Sequence, residues 1–161
     1  MPMKTVTFRQ AVRSDISSLL QLLHQLFTIE EDFTFDPDRQ KMGLELLMDS
    51  PEAAIIVAEK DAEVIGMVTG QKVISTAEGG PALLIEDVVV AGPWQRIGIG
   101  SALIREIGFW GKQQGASRMQ LLADRNNEPA LCFYRENYWK KTALICLRKE
   151  YTADTHEYNT D

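Results

Sequence analysis

A chain of 161 residues with 45% hydrophobic and 25% charged residues is sized and composed for one globular domain, not for a fibrous or disordered protein. Its net charge of −6 lacks the basic surface on which general nucleic-acid binding rests, and mildly favours cationic small molecules as partners. Two cysteines, Cys132 and Cys146, and two histidines, His24 and His156, make neither a disulfide scaffold nor a zinc-type cluster. The first ten residues contain no apolar stretch of signal-peptide length, and no window of about 18 apolar residues occurs. A cytoplasmic protein with reduced thiols, away from membranes, is the expectation.

Residues 6–10 alternate in polarity and predict a short first strand. Ser14 and Asp15 stand as caps before Ile16, Leu19, Leu20, Leu23, Leu26 and Phe27, whose spacing predicts a first helix. Residues 28–38 are acidic and aromatic and contain a proline, the pattern of a loop, and a second helix is expected over 38–48. Strands follow at 54–58 and 64–74, joined by a turn at 59–63, and at 83–90 after the break at Gly79-Gly80-Pro81. A glycine-rich turn over 92–100 leads into a third helix at 100–114, with Ile99, Leu103, Ile107 and Trp110 as its buried stripe and Gly115 as its stop. An apolar strand at 119–123 precedes a helix that opens at Asn127-Glu128-Pro129 and runs to Asn137. A final strand at 141–150 closes the fold, and the last ten residues are polar and expected to fray. This order, without repeat or linker, predicts one domain over 1–161 of α/β (mixed α+β) class, a sheet with helices on both faces.

The most informative stretch is Gln95-Arg96-Ile97-Gly98-Ile99-Gly100-Ser101, between an apolar strand and an amphipathic helix. Glycines let backbone amides approach a phosphate, and a helix start adds unpaired N–H groups and partial positive charge. The same glycines also suit a tight turn that needs them only for its dihedral angles. A Walker loop would need Gly-Lys-Ser/Thr, which is absent, and a Rossmann turn would need a third glycine where Leu103 stands. Asp124, after the next strand, keeps a dinucleotide reading open as a weaker rival.

Gln95-Arg96-Ile97-Gly98-Ile99-Gly100 resembles the Q/R-x-x-G-x-G/A signature of the GNAT superfamily of N-acetyltransferases. Ile85-Glu86-Asp87-Val88-Val89-Val90 is similar to the strand that precedes that signature, nearest to the acid pair of diamine-type acetyltransferases. Asn127-Glu128-Pro129-Ala130-Leu131-Cys132-Phe133-Tyr134 is similar to the family's N-x-x-A-x-x-F-Y helix. The resemblance implies an acyl-CoA N-acyltransferase fold, a mostly antiparallel sheet splayed between strands four and five. It also implies acetyl-CoA as donor, a primary amine as acceptor, and no metal.

Under that resemblance the pyrophosphate lies on the loop of Gln95, Arg96, Ile97, Gly98, Ile99, Gly100 and Ser101. The pantetheine arm pairs with Val88 and Val90, and Asn127 touches the cofactor, with Asn126 as the competing register. An alkyl ammonium is neutral in only about 1 molecule in 2,500 at pH 7, so transfer needs a proton acceptor. Glu86 is the candidate base, with water as the alternative, and Tyr134, which the resemblance also places at the cofactor, is the candidate acid for the departing thiolate. The backbone N–H near Val88 is the expected donor to the developing oxyanion. Glu30, Glu31 and Asp32, with Glu86, Asp87 and also Asp36, are candidates to hold a small cationic amine, in a cleft that Phe35, Trp94 and Trp139 could line. Gly92-Pro93 and Asn137-Tyr138 depart from the family pattern, the latter with Asn137 standing where a left-handed residue is favoured. Dimerisation suits a chain of this size. A non-catalytic acyl-CoA-binding regulatory module is the alternative reading.

Overall fold

The computed structural model describes residues 5–30 and 32–151. The elements are β1 (Thr7–Gln10), α1 (Ile16–Ile29), α2 (Pro37–Asp49), β2 (Ala53–Lys60), β3 (Glu63–Ser75), β4 (Gly80–Val90), α3 (Ile99–Gln113), β5 (Met119–Leu121) and α4 (Glu128–Glu136). The five strands form one sheet in sequence order, antiparallel except for the parallel pair β4–β5, which α3 connects. Asp61 and Ala62, with φ of 52° and 65°, make the two-residue hairpin between β2 and β3. Both faces of the sheet are covered, which is why Ala54 to Ala58 reads as a continuous apolar run. Ala54, Ile56, Ala58, Val68, Leu83 and Ile85 pack with Leu103 and Ile107 of α3. Ile55, Val57, Met67 and Val89 pack on the opposite face with Leu19, Leu22 and Leu23 of α1 and Leu44 of α2. Among the described residues, no helix is long and apolar enough to cross a membrane.

Alpha-3 approaches the sheet closely because β3 offers it a glycine. A Cβ at Gly70 would lie 2.8 Å from Ile107 Cγ1 and 3.2 Å from Leu83 Cδ1, both on fully buried side chains. Gly70→Ala is therefore expected to cost about 1–3 kcal/mol by overpacking. The check is a lower urea midpoint at unchanged slope.

Local expectations need correction in three places. Asp15 precedes α1 without capping it: its carboxylate accepts from Val12 N–H at 2.8 Å and pairs with Arg9 at 2.7 Å. The arginine holds its pKa below the ordinary aspartate value. The left-handed residue after α4 is Tyr138 (φ 65°), one position later than Asn137 (φ −92°). Most consequentially, residues 141–150 form no strand. Their apolar residues carry β propensity, but a strand also needs a neighbouring ladder, and Leu144 and Leu147 remain 86% exposed. Residues 152–161, expected to fray, lie outside the described residues.

Candidate active site

Beta-4 and β5 pair only through Leu83–Met119, Leu84–Gln120 and Ile85–Leu121, and beyond Ile85 the two strands part. At that point β4 carries a bulge. Val68 faces Val88 and Gly70 faces Ile85, so Thr69 alone stands opposite Glu86 and Asp87. The extra residue reverses the alternation, so Ile85 packs on the α3 side and Val89, four residues on, packs on the α1 side, with Glu86 and Asp87 between them. Ala91 N–H donates to Ile65 C=O at 2.8 Å, which sets the phase of the antiparallel ladder. By that phase the backbone groups of Val88 and Val90 point away from β3, toward the side where β5 has ended.

The loop after β4 turns through left-handed residues at Arg96 (φ 61°) and Gly98 (φ 91°) before α3 begins. The Ala102 N–H to Gly98 C=O bond (3.1 Å) is the first of the helix, and no side chain caps this end. The N–H groups of Ile99, Gly100 and Ser101 thus lack helical partners, the condition for anion binding at a helix start. The two glycines serve different ends. Gly98 supplies the dihedral angle, whereas a Cβ at Gly100 would lie 3.2 Å from the Phe133 ring of α4. Ile99 is buried and offers only its backbone, while Ile97 is 63% exposed. Gln95 does not reach into the loop: its Nε2 donates to Val90 C=O at 2.9 Å. Gln25 of α1 donates to the same carbonyl at 2.9 Å and accepts from Gly92 N–H, so two side chains fasten the end of β4.

Tyr134 comes to the opening from α4. Its ring lies edge-on to Phe133 at 5.2 Å and to Trp139 at 5.8 Å, and it packs against the α3 side of the core. Among the described residues no hydrogen bond holds its phenol, so the O–H is uncommitted. Burial, with the Glu30 charge, pushes its pKa up to about 12. Asn127 Oδ1 accepts from Ala130 N–H at 3.1 Å and caps α4, which leaves its NH₂ group available. Asn126 N–H donates to Asp124 Oδ1 at 2.8 Å. Asn126, Asn127 and Asp124 line a cleft of about 270 Å³ together with Ile29 and Pro129.

The acids gather on the α1 side of this opening. Asp87 N–H donates to Thr69 Oγ1 (3.0 Å), and that hydroxyl donates to Asp87 Oδ2 (2.9 Å). Burial, opposed by the Thr69 bond and reinforced by the Glu86 and Glu30 charges, raises Asp87 to about 6. Glu30, at the C-terminus of α1, is raised by burial and then by Asp124, Asp32 and Glu86. Glu86 itself is exposed on the bulge. Among the described residues none of Glu30, Asp32, Glu86, Asp87 and Asp124 has a lysine or arginine partner. The result is a concentration of negative charge with no cation of its own.

Several sequence candidates stand elsewhere. Asp36 caps α2 through Asp38 and Arg39 N–H. Phe35 packs on His24 at 4.7 Å, and Trp94 lies under Lys60 Nζ at 4.4 Å. Trp139, the third aromatic candidate, packs on Tyr134. Glu31 lies outside the described residues. Sequence reasoning missed Thr69 and Gln25, and considered Asp124 only as a ribose ligand. Thr69, one polar residue inside the apolar run of β3, carried a readable signal; Gln25 carried none.

The fold and the family follow from comparison with known proteins. A sequence comparison with curated proteins found no match. Among solved structures, aminoglycoside N-acetyltransferase AAC(6')-Iy in complex with CoA is similar with a TM-score of 0.81 at 17% identity, over 93% of this chain and 98% of that one. An aminoglycoside acetyltransferase from an uncultured soil metagenomic sample, in complex with sisomicin, gives 0.73 at 19% identity, over 91% and 97%. A transcriptional regulator from Bacillus halodurans C-125 gives 0.76 at 21% identity, over 91% and 100%. These likenesses concern the fold, a mixed sheet opened between its fourth and fifth strands. The family model for the acetyltransferase (GNAT) family matches residues 18–138, from α1 through the loop and α4, and the chain belongs to that family.

Proposed function

We propose that the protein transfers an acetyl group from acetyl-CoA to the primary amine of a small cationic acceptor, by direct attack in a ternary complex. The observation that carries this reading is the opening beyond Ile85. An uncapped helix start, an exposed strand edge, an uncommitted phenol and an unpaired group of acids all meet there. The donor site fits coenzyme A by the chemistry of its groups. The N–H groups of Ile99, Gly100 and Ser101, with Arg96 beside them, suit a pyrophosphate. The outward backbone groups of Val88 and Val90 suit an amide-bearing arm, although the Val90 carbonyl already receives two donors. The Asn127 NH₂ group supplies a further donor from α4.

Glu30, Asp32, Glu86 and Asp124 would draw a cationic amine into the cleft, since opposite charge concentrates a ligand at a partly desolvated site. The ammonium must lose a proton before its nitrogen can attack. Asp87, at about 6, is better matched to that task near neutral pH than an ordinary carboxylate, and the geometry favours it over Glu86 as base. Glu86, exposed beside it, holds the arriving cation. The Val88 N–H points into the opening and is placed to stabilise the oxyanion. Tyr134, with its pKa well above the ~8.5 of a thiol, donates a hydrogen bond to the departing sulfur while retaining most of its hold on the proton.

Calorimetric titration with acetyl-CoA, with NAD as control, tests the donor site; thiol release with a panel of cationic and neutral amines tests the acceptor. Saturable binding of acetyl-CoA alone is expected, with turnover on cationic amines whose kcat/KM falls as salt is added. Folded protein that binds no acetyl-CoA would sink the proposal. Binding without turnover on any amine would favour the non-catalytic regulatory reading, the one in keeping with the transcriptional regulator among its structural neighbours.

A further inference from the structure

We propose that Thr69 is a positioning residue for the transfer: its hydroxyl ties down one carboxylate oxygen of Asp87 and leaves the other facing the amine that must lose a proton. The role rests on the acetyl transfer proposed above and is exerted through Asp87, since Thr69 is itself fully buried. Among the described residues two polar or charged side chains are buried, Asp15 and Thr69. Asp15 has Arg9 as its partner, whereas Thr69 commits its hydroxyl to Asp87 alone. The oxygen accepts from Asp87 N–H at 3.0 Å, and its single proton goes to Asp87 Oδ2 at 2.9 Å. The first bond stands in for the ladder carbonyl that the bulge takes from Asp87 N–H. The second fixes the carboxylate, because one oxygen then holds both the backbone and the side chain of the same residue. Asp87 Oδ1 accepts no hydrogen bond among the described residues. No buried side-chain oxygen there lacks a partner, so Oδ1 is the atom that reaches the opening.

Packing alone does not call for threonine at this position. Valine matches its shape, favours strands and buries no hydroxyl, and Thr69 directly follows the buried Met67 and Val68. The hydroxyl acts on the charge of its partner instead. Desolvation, Glu86 beside it on β4 and Glu30 at the end of α1 all favour the protonated form of Asp87, and the Thr69 bond is the one interaction acting the other way. Asp32 and Asp124 act in turn on Glu30. The other titratable group of α1, His24, packs on Phe35. Of the remaining elements, β5 carries Met119, Gln120 and Leu121, α4 brings the neutral Tyr134 phenol, and α3 lies on the other face of the sheet. Without the hydroxyl, Asp87 keeps its proton to higher pH, and a protonated carboxyl cannot accept one from the ammonium.

Thr69→Val and Thr69→Ser separate positioning from packing, because the two roles rank them in opposite order. Valine keeps the packing and removes the hydroxyl; serine keeps the hydroxyl and removes a methyl group. NMR titration of the carbon-labelled Asp87 carboxyl, assigned through Asp87→Asn, follows the proton directly and needs no turnover. Its midpoint is expected to rise by about one to two pH units in Thr69→Val and to stay within about 0.3 of the parent in Thr69→Ser. The acid limb of kcat/KM should move with it. The valine variant is then about three- to tenfold down near pH 7 and recovers part of that loss at higher pH, with an unchanged Kd for acetyl-CoA. Thr69→Ala, which also lacks the hydroxyl, replaces the valine variant if circular dichroism shows that variant unfolded. Equal carboxyl midpoints in the parent and the hydroxyl-free variant overturn the proposal, as does a serine variant that titrates like valine. A folded parent without turnover on any amine fails the transferase reading instead, and the midpoints then decide on Thr69 alone.

Discussion

Asp87→Asn is expected to lower kcat by about 10²–10⁴, the usual contribution of a positioned base, and at the same time to stabilise the fold at neutral pH. Asparagine keeps the shape of the side chain and an oxygen for the Thr69 hydroxyl, so the bulge should persist. The sign of the stability change follows from linkage. Asp87 is raised from 3.8 to about 6, so the folded protein binds its proton more tightly than the unfolded chain does. The stability this group contributes is complete below about pH 4 and lost as pH rises through about 6. Above that, folding carries an ionised carboxylate that is poorly solvated and faces Glu86 and Glu30, a cost of up to about 3 kcal/mol. Removing the charge should raise Tm by several degrees at pH 7.5, and the gain should vanish near pH 4. In the active protein kcat/KM should fall on the acid side with a midpoint near 6. Full activity in the variant, or a Tm gain that persists at pH 4, would count against this account.

Tyr134→Phe is expected to reduce kcat by about 10²–10³ while leaving the Kd for acetyl-CoA within a factor of two. The ring that packs between Phe133 and Trp139 is kept, and the lost hydroxyl has no hydrogen-bond partner among the described residues, so stability should hardly change. The loss would fall on the step in which negative charge develops on sulfur. Because burial and the Glu30 charge push the phenol up to about 12, it stays protonated throughout an ordinary assay range. The pH profile of the unmodified protein should accordingly show no alkaline break from this group. Single-turnover thiol release separates this step from binding, and a rate within twofold of the parent would remove Tyr134 from the role.

Both residues were candidates from the chain alone, Tyr134 as acid and Asp87 only as a substrate contact, so the base role proposed for Asp87 was not read there. Tyr134 was identified from its place after Asn127, Ala130 and Phe133, and α4 carries it to the opening. Glu86 and Asp87 were read as a pair, with Glu86 favoured as base. A strand that simply alternates sends neighbours to opposite faces, so no periodicity could say that both would reach the same opening. The bulge opposite Thr69 decides it, and the bulge exists only in the pairing of β4 with β3. Gly100 is a similar case. Its sequence context suggested access for a phosphate, whereas the neighbour that a side chain there would strike is Phe133, 33 positions later in the chain.

What the sequence determined by itself was whatever depends on short stretches of chain. The order of the elements from β1 to α4, the glycine turn into α3, the stop at Gly115 and the cap at Asn127 all follow from local dihedral preferences and side-chain period. The tertiary structure decided which groups share one space. It joined Asp124 to Glu30 and Glu86 from three separate segments, let Gln25 fasten the end of β4, and left residues 141–151 without a ladder. Charge and hydrogen bonding act across space between residues distant in sequence, so a composition or a spacing can nominate such groups but cannot bring them together.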